Sequence, residues 1–171
     1  HNSTEDVTMV ELETPGIQNA RIFRLHLPGG GRPPTIRDLA WVPPLQAFVL
    51  APDFGDRLYL AKLGSDELVP WMEMPTLNGR LKWVEGVNRL FIPLPNRPEV
   101  WVVDHAAVAI ERRIPTQPGV RTLEVDVKRG LLLTASVLTG RVLVQRLDDG
   151  SVVDRFGTLM PMVRNLAIDE D

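Results

Sequence analysis

A spacing of about 42 residues, repeated in several columns at once, constrains this chain more than any other feature. A leucine followed two positions on by a large apolar residue occurs at Leu39-Ala40-Trp41, Leu81-Lys82-Trp83, Leu123-Glu124-Val125 and Leu166-Ala167-Ile168. These leucines are 42, 42 and 43 residues apart. A second column, Leu58-Tyr59-Leu60, Val100-Trp101-Val102 and Val142-Leu143-Val144, keeps the same 42-residue step. Between the two lie Phe48-Val49-Leu50, Leu90-Phe91-Ile92 and Leu131-Leu132-Leu133. Self-similarity at such a period means one supersecondary unit used several times, each covering its neighbour's apolar face.

The unit itself reads as four short strands. In the second unit they fall at about residues 81–84, 89–94, 99–104 and 108–114. Loops rich in Pro and Gly separate them, such as Val42-Pro43-Pro44 and Pro115-Thr116-Gln117-Pro118-Gly119. Thr139-Gly140 and Asp149-Gly150 are hairpin chemistry, because glycine supplies the positive φ of tight turns. No segment keeps a 3.6-residue apolar period over ten positions, so no substantial helix is expected. Four strands in about 42 residues match a β-propeller blade, and the fold class is all-β, with blades of four antiparallel strands.

Phasing the repeat divides the chain as a single partial propeller over residues 1–171. Residues 7–35 are expected to hold the last two strands of a preceding blade and a connection. Blades follow at 36–76, 77–119 and 120–161, and residues 162–171 are expected to open another. Three blades leave edge strands and apolar faces uncovered at both ends. The expected partner is therefore a second copy or the remainder of a longer propeller. Two copies give about eight blades if the last strand of one joins the leading pair of the other.

Composition removes several classes of function. The net charge is −3 over 171 residues, which gives no basis for nucleic-acid binding. Cysteine is absent, so thiolate catalysis and cysteine metal sites are excluded. No run of about 18 apolar residues spans a membrane, and no leader segment is read at the start. No motif calls for a cofactor.

Candidate chemistry is sparse. Asp53-Phe54-Gly55 spells a kinase tripeptide, but no companion kinase motif accompanies it and it falls in a turn. His26 alternates with Leu25 and Leu27 and is expected to face solvent. Asp104-His105 ends a strand and reads as a turn-capping Asp beside a surface His, with no nucleophile motif near it. Acidic loop residues such as Asp148 and Asp149 lack calcium-loop spacing and read as turn residues. Trp41, Trp83 and Trp101 are in phase with the repeat and are assigned to the core. No catalytic or metal-binding residue is assigned.

One column is basic. Arg37, Arg121 and Arg164 each lie two residues before the anchoring leucine, and Arg80 lies one before. In a propeller this segment leads into the innermost strand, at the face around the channel. Guanidinium forks gathered there suit a carboxylate or phosphate. The competing account is that each arginine pairs with a neighbouring acid such as Asp38 or Glu124, or covers an apolar edge with its stem.

The third unit resembles the YVTN-type propeller repeat, related to the NHL repeat. The resembling residues are Leu132-Leu133-Thr134-Ala135, Gly140-Arg141-Val142, Asp149-Gly150-Ser151-Val152-Val153 and Pro161-Met162-Val163-Arg164-Asn165-Leu166-Ala167. The first two units lack the Asp-Gly turn. The resemblance implies a propeller serving as a binding platform in the bacterial periplasm or outside the cell. Some relatives are lactonases with channel ligands, for which Glu85, Asp126 and Asp169 are the candidates here. Two functions are thus weighed: a non-catalytic module binding a protein or anionic ligand on its channel face, and a lactonase- or hydrolase-like enzyme with a metal in the channel. A stoichiometric bound metal separates them.

Overall fold

The computed structural model describes residues 8–12, 20–75, 78–157 and 163–168. The chain divides into two compact parts, His1–Thr76 and Leu77–Asp171.

The first part begins with β1 (Thr8–Leu12) and β2 (Ala20–Arg24), paired antiparallel with Thr8 opposite Arg24. A four-stranded antiparallel sheet follows: β3 (Ile36–Val42), β4 (Ala47–Pro52), β5 (Arg57–Lys62) and β6 (Leu68–Glu73), hydrogen-bonded in that order. Alternation along β4 and β5 sends side chains to both faces, and both faces are used. Leu50, Ala61 and Leu68 pack with Leu25 on one face, while Val49, Ala51 and Leu58 are fully buried on the other.

The second part holds two further sheets of the same plan. One is β7 (Lys82–Val84), β8 (Arg89–Leu94), β9 (Glu99–Asp104) and β10 (Ala109–Pro115). The other is β11 (Val120–Asp126), β12 (Leu131–Ser136), β13 (Arg141–Arg146) and β14 (Val152–Gly157). Val84, Phe91, Val100, Val102 and Ile114 of the former meet Leu123 and Leu132 of the latter in one core. Polar ties reinforce it. The Gln145 amide donates to the Pro115 carbonyl at 2.7 Å and to Gly150 at 2.8 Å, and Ser136 Oγ donates to Pro118 at 2.8 Å. The Gln145 nitrogen and the Ser136 hydroxyl are buried at low cost because they are bonded, whereas Gln145 Oε1 is buried without a partner.

The repeat extends to irregularities. Each outer strand skips one residue against its partner, at Trp71, Glu111 and Val153. Such bulges increase local twist. Short 3₁₀ turns, Pro43–Leu45 and Glu85–Val87, occupy equivalent places after the first strands of the first two sheets. The hairpin glycines behave as the sequence requires, with Gly140 at φ 63° and Gly150 at φ 74°.

The sheets thus match the expected all-β fold of four-stranded antiparallel blades. The far end differs in detail. Residues 163–168, expected to open another blade, lie in no strand. An isolated strand has no ladder to satisfy its backbone groups, and among the described residues no strand pairs with this segment. Residues 169–171 lie outside the described residues.

Candidate functional site

The arginine column depends on backbone features that spacing does not reveal. Arg37 on β3 and Arg121 on β11 are the bulged residues of their strands. Ile36 faces Pro52 and Asp38 faces Ala51, leaving Arg37 over. Val120 faces Ser136 and Thr122 faces Ala135, leaving Arg121 over. A bulge re-aims the side chain it carries, so these two arginines leave the normal alternation.

In β7–β10 the same repeat position is Gly79, and the reason is steric. A Cβ on Gly79 would stand 2.6 Å from the Arg121 carbonyl oxygen and 2.7 Å from Pro93 Cγ. Its N–H donates to the Pro93 carbonyl at 2.6 Å. The guanidinium moves one residue along to Arg80, whose own N–H donates to the Arg121 carbonyl at 2.8 Å. The Arg80 side chain donates to the Asn165 side-chain oxygen, next to the exposed Arg164. A backbone bond thus joins the Arg80 and Arg121 positions, and the Arg80 side chain reaches Asn165, the chain neighbour of Arg164. Arg37 belongs to the first part and stands 3.3 Å from the Asp53 carboxylate.

Glu124, a candidate neighbour for the arginines, instead takes Lys82 at 2.8 Å across β7 and β11. The two residues occupy the same place in successive repeats, so a charge exchange in one column ties adjacent inner strands together. Beside them a cleft of about 370 Å³ is lined by Lys82, Glu124, Asp126, Lys128, Arg129 and Ile168, among others. Three cations and two carboxylates make its lining slightly cationic.

The Asp126 carboxylate accepts from the Arg129 guanidinium at 2.7 Å and from the Arg129 N–H at 2.9 Å. That guanidinium, then the N–H, hold its carboxyl below the usual carboxylate range. Asp104 caps its turn by accepting from Ala106 and Ala107, which lowers its pKa in the same way. Glu85 lies exposed in a 3₁₀ turn. Among the described residues no three His, Cys, Asp or Glu side chains are gathered to hold a metal. Asp169 lies outside the described residues.

Two readings need correction. His105 is not a surface residue: it is half-buried, with its ring edge-on to Trp83 at 5.4 Å. Trp83 Nε1 and His105 Nδ1 are both buried without a hydrogen-bond partner. Trp101 is core as expected, its Nε1 donating to Glu99 at 3.0 Å, but Trp41 is 36 % exposed and leans on Phe48. In the Asp53-Phe54-Gly55 turn, Asp53 pairs with Arg37 and Phe54 is exposed. His26 is part-exposed, with Nδ1 3.1 Å from the Leu27 carbonyl and Nε2 3.5 Å from Asp66.

Three four-stranded antiparallel sheets following a 42-residue repeat define a β-propeller type of chain. Comparison with solved structures agrees. The WD40 β-propeller domain of Doa1 is similar with a TM-score of 0.70 and 11% identity, over 96% of this chain and 52% of that one. Hydrazine synthase of Kuenenia stuttgartiensis is similar with a TM-score of 0.65 and 14% identity, over 88% and 42%. The computationally designed Ika8 protein is similar with a TM-score of 0.63 and 11% identity, over 88% and 47%. At such identities the likeness concerns fold alone. The chain spans about half the length of these structures. No protein-family model matches it, and no curated protein does.

Proposed function

We propose that this chain is a non-catalytic β-propeller module, working as part of a completed ring, that binds an anionic group or acidic segment through Arg80, Arg121 and Arg164. One observation carries the reading. Arg80 turns its guanidinium to a neutral amide oxygen at Asn165, while its N–H fixes it to Arg121. A guanidinium held by a neutral acceptor keeps its charge unneutralised, and its remaining donors suit a carboxylate or phosphate. The slightly cationic cleft lined by Lys128 and Arg129 has the same preference. Resemblance to YVTN-type repeats supports a periplasmic or extracellular setting. No observation favours the lactonase- or hydrolase-like alternative.

Calorimetric titration with inorganic phosphate, succinate and a polyglutamate peptide tests the reading. At least one of them binds the wild-type chain, and affinity falls as salt rises. Arg121→Ala and Arg164→Ala each weaken that binding roughly tenfold, as loss of one charged hydrogen-bonding group does. Affinity unchanged in both variants, or no binding by the wild type, refutes it.

A further inference from the structure

A second cleft, of about 390 Å³, opens between the two sheets of the second part and is lined by Arg112, Arg129, Gly130, Arg146, Leu147 and Asp148. Both sheets that bound it, β7–β10 and β11–β14, have all four strands. One wall gives Arg112 from the outer strand β10. The other gives Arg129 from the turn after β11 and Arg146 from the last position of β13. Three guanidiniums from three elements thus line one cleft.

This is a different place from the arginine column. Arg121 is the second residue of β11, whereas Arg129 follows the far end of that seven-residue strand, which is about 20 Å long. Arg129 also borders the cleft of Lys82 and Glu124, but Arg112 and Arg146 do not.

The blade itself does not ask for these cations. The 42-residue step carries Arg129 back to Val87 and Arg146 back to Asp104. Register gives the counterparts of Arg112, which faces Val102: Val69 faces Leu60 and Asp154 faces Val144. One repeat earlier the set is therefore Val69, Val87 and Asp104, with no cation in it. Sheets of the same plan form without the three arginines.

Their bonding leaves donors to spare. The half-buried Arg112 donates to the Asp148 main-chain carbonyl, a neutral acceptor. Arg129 holds Asp126 at 2.7 Å with one of its nitrogens. Among the described residues Arg146 forms no ion pair, and Asp149 acts on it only at longer range. The acids of the adjoining turn are engaged by backbone: Asp148 accepts from the Asp149 N–H and Asp149 from the Ser151 N–H, both at 2.8 Å. The lining thus sets three guanidiniums, each with five N–H donors, against one carboxylate.

We infer that this cleft is a site for a phosphate group, separate from the arginines proposed above to bind an anion. Three forks arriving from three elements match a tetrahedral dianion, whose oxygens point apart. A planar carboxylate is served by a single fork, so it gains less from the other two.

Calorimetric titration of the full 171-residue chain with inorganic phosphate, phosphoserine and succinate tests this at low salt. The background is Arg121→Ala/Arg164→Ala, which disables the other arginine site. In it phosphate still binds, and more tightly than succinate. Adding Arg146→Ala weakens phosphate binding about tenfold, as loss of a charged hydrogen-bonding group does. Adding Arg112→Ala weakens it at least as much, and Arg146→Lys, which keeps the charge without the fork, lies between Arg and Ala. Circular dichroism confirms that each variant keeps its β signal. If Arg112→Ala loses that signal with its bond to Asp148, Arg146→Ala decides alone. Phosphoserine binding beside phosphate makes the occupant an ester, phosphate alone makes it the free ion, and either supports the site. No phosphate binding in the background, succinate binding as tightly as phosphate, or an affinity that Arg146→Ala leaves unchanged overturns the inference. Arg121→Ala measured on an Arg112→Ala/Arg146→Ala chain decides the other arginine site, so each reading can fail without the other.

Discussion

Gly79 shows how much one missing side chain organises. It holds the place that Arg37 and Arg121 fill in the other repeats, yet the Arg121 carbonyl occupies the space a Cβ needs. The neighbouring strand entry, the bond from Gly79 to Pro93 and the position of Arg80 all follow from that close approach. Gly79→Ala forces a methyl group against the Arg121 carbonyl and the Pro93 ring and destabilises the second part by about 1–3 kcal/mol, the usual cost of overpacking. Urea unfolding of the variant beside the wild type measures it. Spacing alone placed the arginines two residues, or one, before each leucine. That Arg37 and Arg121 sit on bulges was not legible, because a bulge depends on the partner strand's register rather than on the residue. The Asn165 contact to Arg80 was equally hidden, joining residues 85 apart in sequence.

At the scale of the element, the turns carry the acidic residues. Asp126 closes β11–β12 through Arg129, and Asp149 closes β13–β14 with its carboxylate bonded to Ser151. Asp126, Asp104 and Asp149 all have depressed pKa values. The stabilisation from such a group is full above its unfolded value of about 3.9 and is lost as pH falls through the lower folded value. Thermal unfolding between pH 7 and pH 2 therefore shows a fall in Tm on the acid side of about pH 4. Asp126→Asn starts from a lower Tm at pH 7 and falls less. An identical acid slope in the variant removes Asp126 from the account. These strands and turns were the most legible part of the chain, because period-2 alternation and Thr-Gly or Asp-Gly pairs are local signals. Residues 163–168 carry the same Leu-x-apolar signature as the true inner strands, yet form none. A strand needs a ladder partner, and the signature says nothing about whether one is present.

At the largest scale, the two sheets of the second part cover each other in step with the repeat, and the equivalent outer strands differ, with Ile114 of β10 buried and all of β14 exposed. Sequence phasing put these residues in columns, but did not tell which of them would be bare. Leu39 and Leu123 look alike in the sequence, and only the structure separates 53 % from 3 % exposure. Hydrogen exchange read by mass spectrometry tests this most directly, because β10 and β14 are equivalent strands in unequal surroundings. The account predicts that β14, exposed along its length, exchanges faster than β10, where Ile114 is buried. Equal exchange of β10 and β14 would contradict it.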